Sequence, residues 1–321
     1  MVKFLVLLLL AAGLLAGSYF MILPPPDQDP LADLAYTYTP YACLSIYGLE
    51  TSLQDTVCSW KHPAAYYVGE ARKLGFNTIR IPIAIQYIVE GRLDVLDKLV
   101  FACVQSNMSF LLDFHRVTNA RQEESWDIGI KEYGLIHSRE ELRDIMMSVI
   151  TRYEPTPQFI GMNSWNEYVG TNVTYKTEWD RFVFDKIEAT FPGRFVYFPT
   201  GMFWGGCLIG YSLEDVTYAD RVIYAVHKYH FSGTGDRDDW ERSFGTLFPP
   251  SKLFIEEYGF RDPQDLKWGR EFVGYLKEKG IRNHCFWTVA HSGDTGGLWE
   301  DNCETLNLNK LEIIQSILLP N

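Results

Sequence analysis

The stretch His62-Pro-Ala-Ala-Tyr-Tyr-Val-Gly-Glu-Ala-Arg-Lys-Leu-Gly-Phe-Asn-Thr-Ile-Arg-Ile-Pro82 holds a complete helix–turn–strand unit. Ala64, Tyr67, Val68, Ala71 and Leu74 recur at helical spacing, and Gly75 stops the pattern. Asn77–Pro82 is then short, apolar and β-branched, and reads as a strand. Seven other runs read the same way: Tyr41–Tyr47, Ser109–Phe114, Phe159–Trp165, Arg194–Pro199, Arg221–His227, Lys252–Glu257 and Asn283–Val289. Amphipathic stretches separate or follow them, at about 62–74, 92–106, 138–152, 176–191, 212–218, 238–246, 263–280 and 305–318. Strand then helix, repeated eight times, predicts an α/β chain folded as a single (β/α)8 TIM barrel. The rival, an open doubly wound sheet, requires a glycine-rich phosphate turn after the first strand, and this sequence has none there.

The 321 residues suit one such barrel, and 47% apolar composition supplies ample core. A formal net charge of −12 argues against nucleic acid, whose phosphates need clustered Lys and Arg. The N-terminus reads as a targeting segment. Lys3 precedes a run from Phe4 to Leu23 without a charge, which fits a cleaved signal peptide or an uncleaved signal anchor. Either places the rest of the chain outside the cytosol, secreted or membrane-anchored. Pro24–Pro30 follows as a stiff linker, so residues 1–30 are expected to be signal or anchor plus linker and 31–321 the barrel domain. Six cysteines in an exported chain predict disulfides, and none forms a C-x-x-C zinc pair. Asn107-Met-Ser and Asn172-Val-Thr match the glycosylation sequon.

In a barrel of parallel strands, function gathers at the carboxyl ends. There the chain places Arg80, Asp113-Phe-His115-Arg116, Asn166-Glu167, His227-Lys-Tyr229, Glu256-Glu257 and Trp287. A lone strand-end His or Arg is usually a satisfied buried polar group. Six polar strand ends on one face are not explained by packing. Glu167 and Glu257 lie ninety residues apart in sequence, yet a barrel brings both to that face. Two opposed carboxylates can cleave a glycosidic bond, one protonated to donate to the leaving oxygen and one ionised to attack the anomeric carbon.

These motifs resemble glycoside hydrolase family 5, the cellulase-type retaining hydrolases. The likeness runs along nearly the whole chain after the linker. It is carried by Ser45-Ile-Tyr-Gly-Leu-Glu-Thr51, Leu74-Gly-Phe-Asn-Thr-Ile-Arg-Ile-Pro82, Leu112-Asp-Phe-His-Arg116, Trp165-Asn-Glu167, Phe203-Trp-Gly-Gly206, Val226-His-Lys-Tyr229, Ile255-Glu-Glu-Tyr-Gly259 and Ser292-Gly-Asp-Thr-Gly-Gly297. The resemblance implies Glu167 as acid/base and Glu257 as nucleophile. It places Arg80, His115, Asn166, His227, Tyr229, Trp287 and Trp204 around the sugar. It implies action on a β-linked polysaccharide, most simply an endo-β-1,4-glucan; no His pair has ligand spacing with a nearby third ligand, so no metal and no cofactor are expected, and the chain is expected to be a monomer. A mannan, another β-glucan or a glycolipid stays open, as does a non-catalytic glycan-binding barrel.

Two positions depart from the family pattern. Tyr168 replaces the usual proline after the acid/base, and Glu256 replaces a small residue before the nucleophile. Strand alternation sends adjacent side chains to opposite faces. That predicts Glu257 in the cleft and Glu256 against the helix layer, paired with an Arg. Loops near 117–137 and 230–251 are expected to shape the cleft ends.

Overall fold

Helix α1 (Ala64–Leu74) forms as its periodicity requires, burying Tyr67, Val68 and Ala71. It ends at Gly75, whose φ of 103° is open to glycine. The computed structural model describes residues 39–51, 55–118, 136–290, 293 and 295–318. The expected signal or anchor segment, most of the 117–137 loop and part of the Ser292–Gly297 motif lie outside the described residues. Among the described residues, no helix is long and apolar enough to cross a membrane.

Pro40–Asn321 carries all eight expected strands. They are β1 (Ala42–Ser45), β2 (Thr78–Ala84), β3 (Ser109–Arg116), β4 (Phe159–Asn163), β5 (Val196–Tyr197), β6 (Tyr224–Lys228), β7 (Leu253–Tyr258) and β8 (Asn283–Phe286). Every pairing is parallel, in the order β5-β4-β3-β2-β1-β8-β7-β6. The two ends of that order meet. Ile223 and Ala225 donate backbone N–H groups to the carbonyls of Tyr197 and Pro199, at 2.9 and 2.8 Å, and Gly201 donates back to Ala225 at 3.1 Å. The sheet curls on itself as in a (β/α)8 barrel.

The connecting helices are α2 (Ile85–Val89), α3 (Asp94–Gln105), α4 (Arg139–Tyr153), α5 (Val173–Thr190), α6 (Arg237–Trp240), α7 (Leu266–Lys279) and α8 (Leu308–Gln315). A π turn, Glu241–Gly245, extends α6. One expectation fails and one element is new. The short helix near 212–218 is absent; only a 3-10 turn, Ala219–Arg221, joins β5 to β6. Side chains hold that connection instead: the Leu213 N–H donates to the Tyr224 hydroxyl, and the Tyr218 hydroxyl to Asp185. Helix α2, by contrast, was not foreseen; at five residues it is too short to show a period. Of the two sequons, Asn172 caps α5 by accepting from the Tyr175 N–H.

Strand alternation divides the interior. Cys43, Leu111, Phe198, Ile223, Ala225, Phe254 and Cys285 form one small apolar cluster drawn from strands all round the ring. Cys43 and Cys285 are register partners on β1 and β8 and form a disulfide. The larger cluster packs the helices on the outside of the sheet. Two residues further along each strand from that inner layer, the side chains turn polar: Asp113 and then His115 above Leu111, His227 above Ala225, Glu256 above Phe254. A second disulfide, Cys58–Cys303, ties the β1–α1 loop to the segment before α8.

Candidate active site

Arg80, fully buried on β2, organises the polar layer. Its guanidinium reaches Glu257 at 2.6 Å, Asp113 at 2.9 Å and Glu256 at 3.3 Å, and donates to Asn166 Oδ1 at 2.5 Å. A planar fork of donors suits this many acceptors better than a lysine would. A second chain of hydrogen bonds fixes Asn166. With Oδ1 taken by Arg80, Nδ2 must face His115 Nε2, 3.1 Å away. His115 therefore accepts there and donates from Nδ1 to Asp113, at 2.6 Å. Burial, with Arg116, Arg80 and His227 nearby, holds His115 well below its ordinary pKa, so the ring is neutral as this pattern requires.

Glu257 sits 4% exposed at the end of β7. The Tyr229 hydroxyl donates to its Oε2 at 2.7 Å, and Arg80 holds Oε1. Burial would raise this carboxyl, but His227, Arg80 and the Tyr229 hydrogen bond outweigh it and hold it below its usual value. Glu167 stands after β4, with His227 Nδ1 2.9 Å from Oε1. Burial pushes its carboxyl up, and the Glu257 charge adds to that, against the opposing pull of His227 and Arg80. One oxygen of Glu167, one of Glu257 and a ring nitrogen of His227 all lie within 4.8 Å of one another. Burial would strip His227 of its proton, but Glu257, Glu167 and Glu256 push its pKa up to about 10.

Glu256 does not face the helix layer. Strands β6 and β7 pair Val226 with Ile255 and then His227 with Glu257, so Glu256 is the extra residue of a β-bulge. Alternation from the inward Phe254 keeps Glu256 inside the barrel, and the bulge then returns Glu257 to the same side. Glu256 is wholly buried beneath the cleft. It accepts from Asn163 Nδ2 at 2.8 Å and lies 3.4 Å from His227 Nε2. The expected arginine partner is present, but it is Arg80, inside the barrel.

Above this layer opens a cleft of about 820 Å³. His115, Asn166, Trp204, Tyr229 and Trp287 line it together with both glutamates, while Arg80 and His227 lie beneath and touch those glutamates. Trp287 stacks between Tyr47 and His115, with centroids 5.7 and 5.8 Å away. Across from it a tight turn presents Phe203 and Trp204, each about half exposed. Both adopt positive φ, and their N–H groups bond the carbonyls of Gly170 and Tyr168, just beyond Glu167. Gly205, at φ +70°, packs on the His227 ring, where a Cβ would sit 3.0 Å from the ring carbon. From the loop expected at 230–251, Phe231, Ser232, Gly233, Asp239, Arg242 and Ser243 line the cleft.

The sequence reading assigned no individual role to Asp113, Asn163, Tyr47 or Phe203. Asp113 carried a usable signal, since it stands two residues before His115 and so on the same strand face. Two acid–histidine trios, Asp113/His115/Glu257 and Glu167/His227/Glu257, have the donor atoms of a metal site. Each is already tied up internally, and the Arg80 guanidinium supplies positive charge at their common member, Glu257. The donor set is therefore that of carboxylate chemistry.

The chain is 24% identical to the major extracellular endoglucanase of Xanthomonas campestris pv. campestris, over 85% of this chain and 66% of that protein. It is 22% identical to an endoglucanase of Paenibacillus polymyxa, over 86% of this chain and 82% of that one. The catalytic domain of the Xanthomonas enzyme superposes with a TM-score of 0.73 at 21% identity, covering 87% of this chain and 95% of that one. A cellotetraose complex of the endocellulase from Pyrococcus horikoshii superposes with a TM-score of 0.74 at 18% identity, covering 88% and 93%. These likenesses fix the fold. The family model for cellulase (glycosyl hydrolase family 5) matches residues 43–293, most of the chain, and the protein belongs to that family.

Proposed function

We propose that this protein is an exported retaining endo-β-1,4-glucanase, with Glu257 as nucleophile and Glu167 as acid/base. The observation that carries the assignment is the opposite perturbation of two carboxyls whose oxygens approach within 4.8 Å. Environments that push two neighbouring acids apart divide the acid and nucleophile roles between them. The close approach of their oxygens favours direct attack, for which carboxyl groups stand roughly 5–5.5 Å apart, over inversion, for which they stand roughly 6.5–9.5 Å apart.

Glu257, held ionised by Arg80 and Tyr229, attacks the anomeric carbon. Glu167 delivers its proton to the leaving oxygen. Oε1 is engaged by His227, so Oε2 carries that proton. Once Glu167 is ionised, the His227 imidazolium stabilises it while it draws a proton from the water that hydrolyses the glycosyl ester. The remaining Nδ2 hydrogen of Asn166 is placed to hold a sugar hydroxyl beside the reacting carbon, and Trp287 offers a flat face to the ring. The export reading rests on the N-terminal apolar run and on the extracellular Xanthomonas relative.

The test is reducing-sugar release from β-1,4-glucan, β-1,3-glucan, mixed-linkage glucan, mannan and xylan, with the anomer first formed followed by NMR. Retained β-anomer from β-1,4-glucan is expected. Initial α-anomer would refute double displacement, and release from mannan alone would move the substrate. No release from any of them would favour a non-catalytic barrel.

A further inference from the structure

We propose that a side recess of the cleft, formed by Lys228, Asp239 and Ser243, binds the hydroxyls of a substrate sugar on the leaving-group side. The three are then specificity-determining residues for chain substrates. The inference rests on the glucanase reading above and extends it to one subsite.

The recess lies where α6 and its π turn meet the β5–β6 connection. All three residues line the same cleft as the two glutamates. Lys228 is 3% exposed and donates to Asp239 Oδ2 at 3.0 Å. An ammonium has three donors, and the protein occupies one of them here. Ser243 is 5% exposed, and its buried Oγ has no hydrogen-bond partner among the described residues. A buried hydroxyl left unpaired costs free energy, so a ligand hydroxyl that reaches Ser243 from the cleft would relieve that cost. Lys228 and Asp239 cancel one another's charge at 3.0 Å, and Arg242, 3.9 Å from Asp239 at the open edge, is largely solvated, with its side chain 65% exposed. The recess therefore offers donors and an acceptor at low net charge, which suits neutral sugar hydroxyls over an anion.

Its side of the cleft follows from the acid. The leaving group lies next to Glu167, because Glu167 protonates it. The Phe203–Trp204 turn is hydrogen-bonded to Tyr168 and Gly170, immediately after Glu167. The same turn runs on into Gly206 and Cys207, which line the cleft with the recess residues, and Leu208 N–H bonds the Ser243 carbonyl at 2.9 Å. Trp287 and Tyr47 stand on the opposite, β8–β1 side.

The experiment compares kcat/KM on cellohexaose, which fills the leaving-group side, with that on 4-nitrophenyl β-cellobioside, whose leaving group carries no sugar. Ser243→Ala removes a hydroxyl that has no partner in the free enzyme, so folding is not at stake. A paired Lys228→Met, Asp239→Asn variant removes the ion pair without leaving a lone buried charge. The ratio of the two kcat/KM values should fall roughly fivefold for Ser243→Ala, the worth of one neutral hydrogen bond, and at least about tenfold for the paired variant. An unchanged ratio in both variants, or a parallel loss on both substrates, would overturn the proposal in favour of a structural role. A wild-type enzyme inert on both substrates would overturn the glucanase reading and the recess assignment with it.

Discussion

Replacing Tyr229 by Phe removes one hydroxyl and tests the electrostatic account of the nucleophile. That hydroxyl donates to Glu257 Oε2 at 2.7 Å at the floor of the cleft, where burial keeps the phenol protonated. A hydrogen bond to a charged group contributes about 1.5–3 kcal/mol. Its loss destabilises ionised Glu257 against its protonated form by that amount. The sign is definite: the Glu257 pKa rises, so the acid limb of the kcat/KM profile moves to higher pH. The size is about ten- to hundredfold in proton concentration, since 1.36 kcal/mol is one decade. The assay is a pH profile on a soluble aryl cellobioside, in wild type and variant, with fluorescence-monitored unfolding as a control. Activity well above the limb should recover much of its wild-type value. An acid limb that stays in place while activity drops evenly at every pH would refute the reasoning, because Tyr229 would then be acting somewhere other than on ionised Glu257.

Glu167→Gln should still form the glycosyl-enzyme from an activated aryl glycoside, with azide restoring turnover, whereas Glu257→Gln should form none; an ester trapped on the Glu257 variant would reverse the roles. Glu256→Gln should lower activity by about tenfold or more and bring down the pKa of His227, visible by NMR, because Glu256 is one of three groups holding that proton. Wild-type activity and an unmoved His227 titration would mean that Glu256 is a spectator. Arg80→Met should cost about 3–5 kcal/mol in chemical denaturation, since three buried carboxylates lose their shared cation. A stability within error of wild type would count against that cluster. Removing Cys58–Cys303 as a double Ser variant should cost about 2–5 kcal/mol, because the bridge closes a loop across 245 residues of sequence. An unaltered denaturation midpoint under non-reducing conditions would contradict it.

The strands were legible because each is a short apolar run closed by a polar residue, and the barrel follows from their count and alternation with helices. The convergence of Glu167 and Glu257 on one cleft was legible for the same reason. What failed was the inference about Glu256, drawn from strict alternation. One inserted residue resets which face a strand presents, and Ile255-Glu-Glu-Tyr258 carries no glycine or proline to announce the bulge. The β5–β6 connection misled in another way. Residues 212–218 have an amphipathic spacing, but their hydrogen bonds go to Tyr224 and Asp185 on neighbouring elements, and tertiary contacts override a weak local period. The unpaired Ser243 hydroxyl was invisible, because a missing partner is a property of three-dimensional surroundings.

The ring of strands is not equally strong all the way round. β2 and β3 match along seven register pairs, whereas β5 is two residues long and its contact with β6 rests on three backbone hydrogen bonds. This seam is where the cylinder opens at least cost. In hydrogen exchange the amides of Ile223 and Ala225 should lose protection before those of β2 and β3. The loops borne on either side of the seam carry Phe203, Trp204, Phe231 and the Lys228 recess, while Arg80, Asp113 and Trp287 ride on the well-laced half. Under the proposed mechanism, breathing along the seam would loosen the grip on the departing half of a cut chain and leave the half esterified to Glu257 undisturbed. That gives the enzyme a route to discharge one product while the other waits for water.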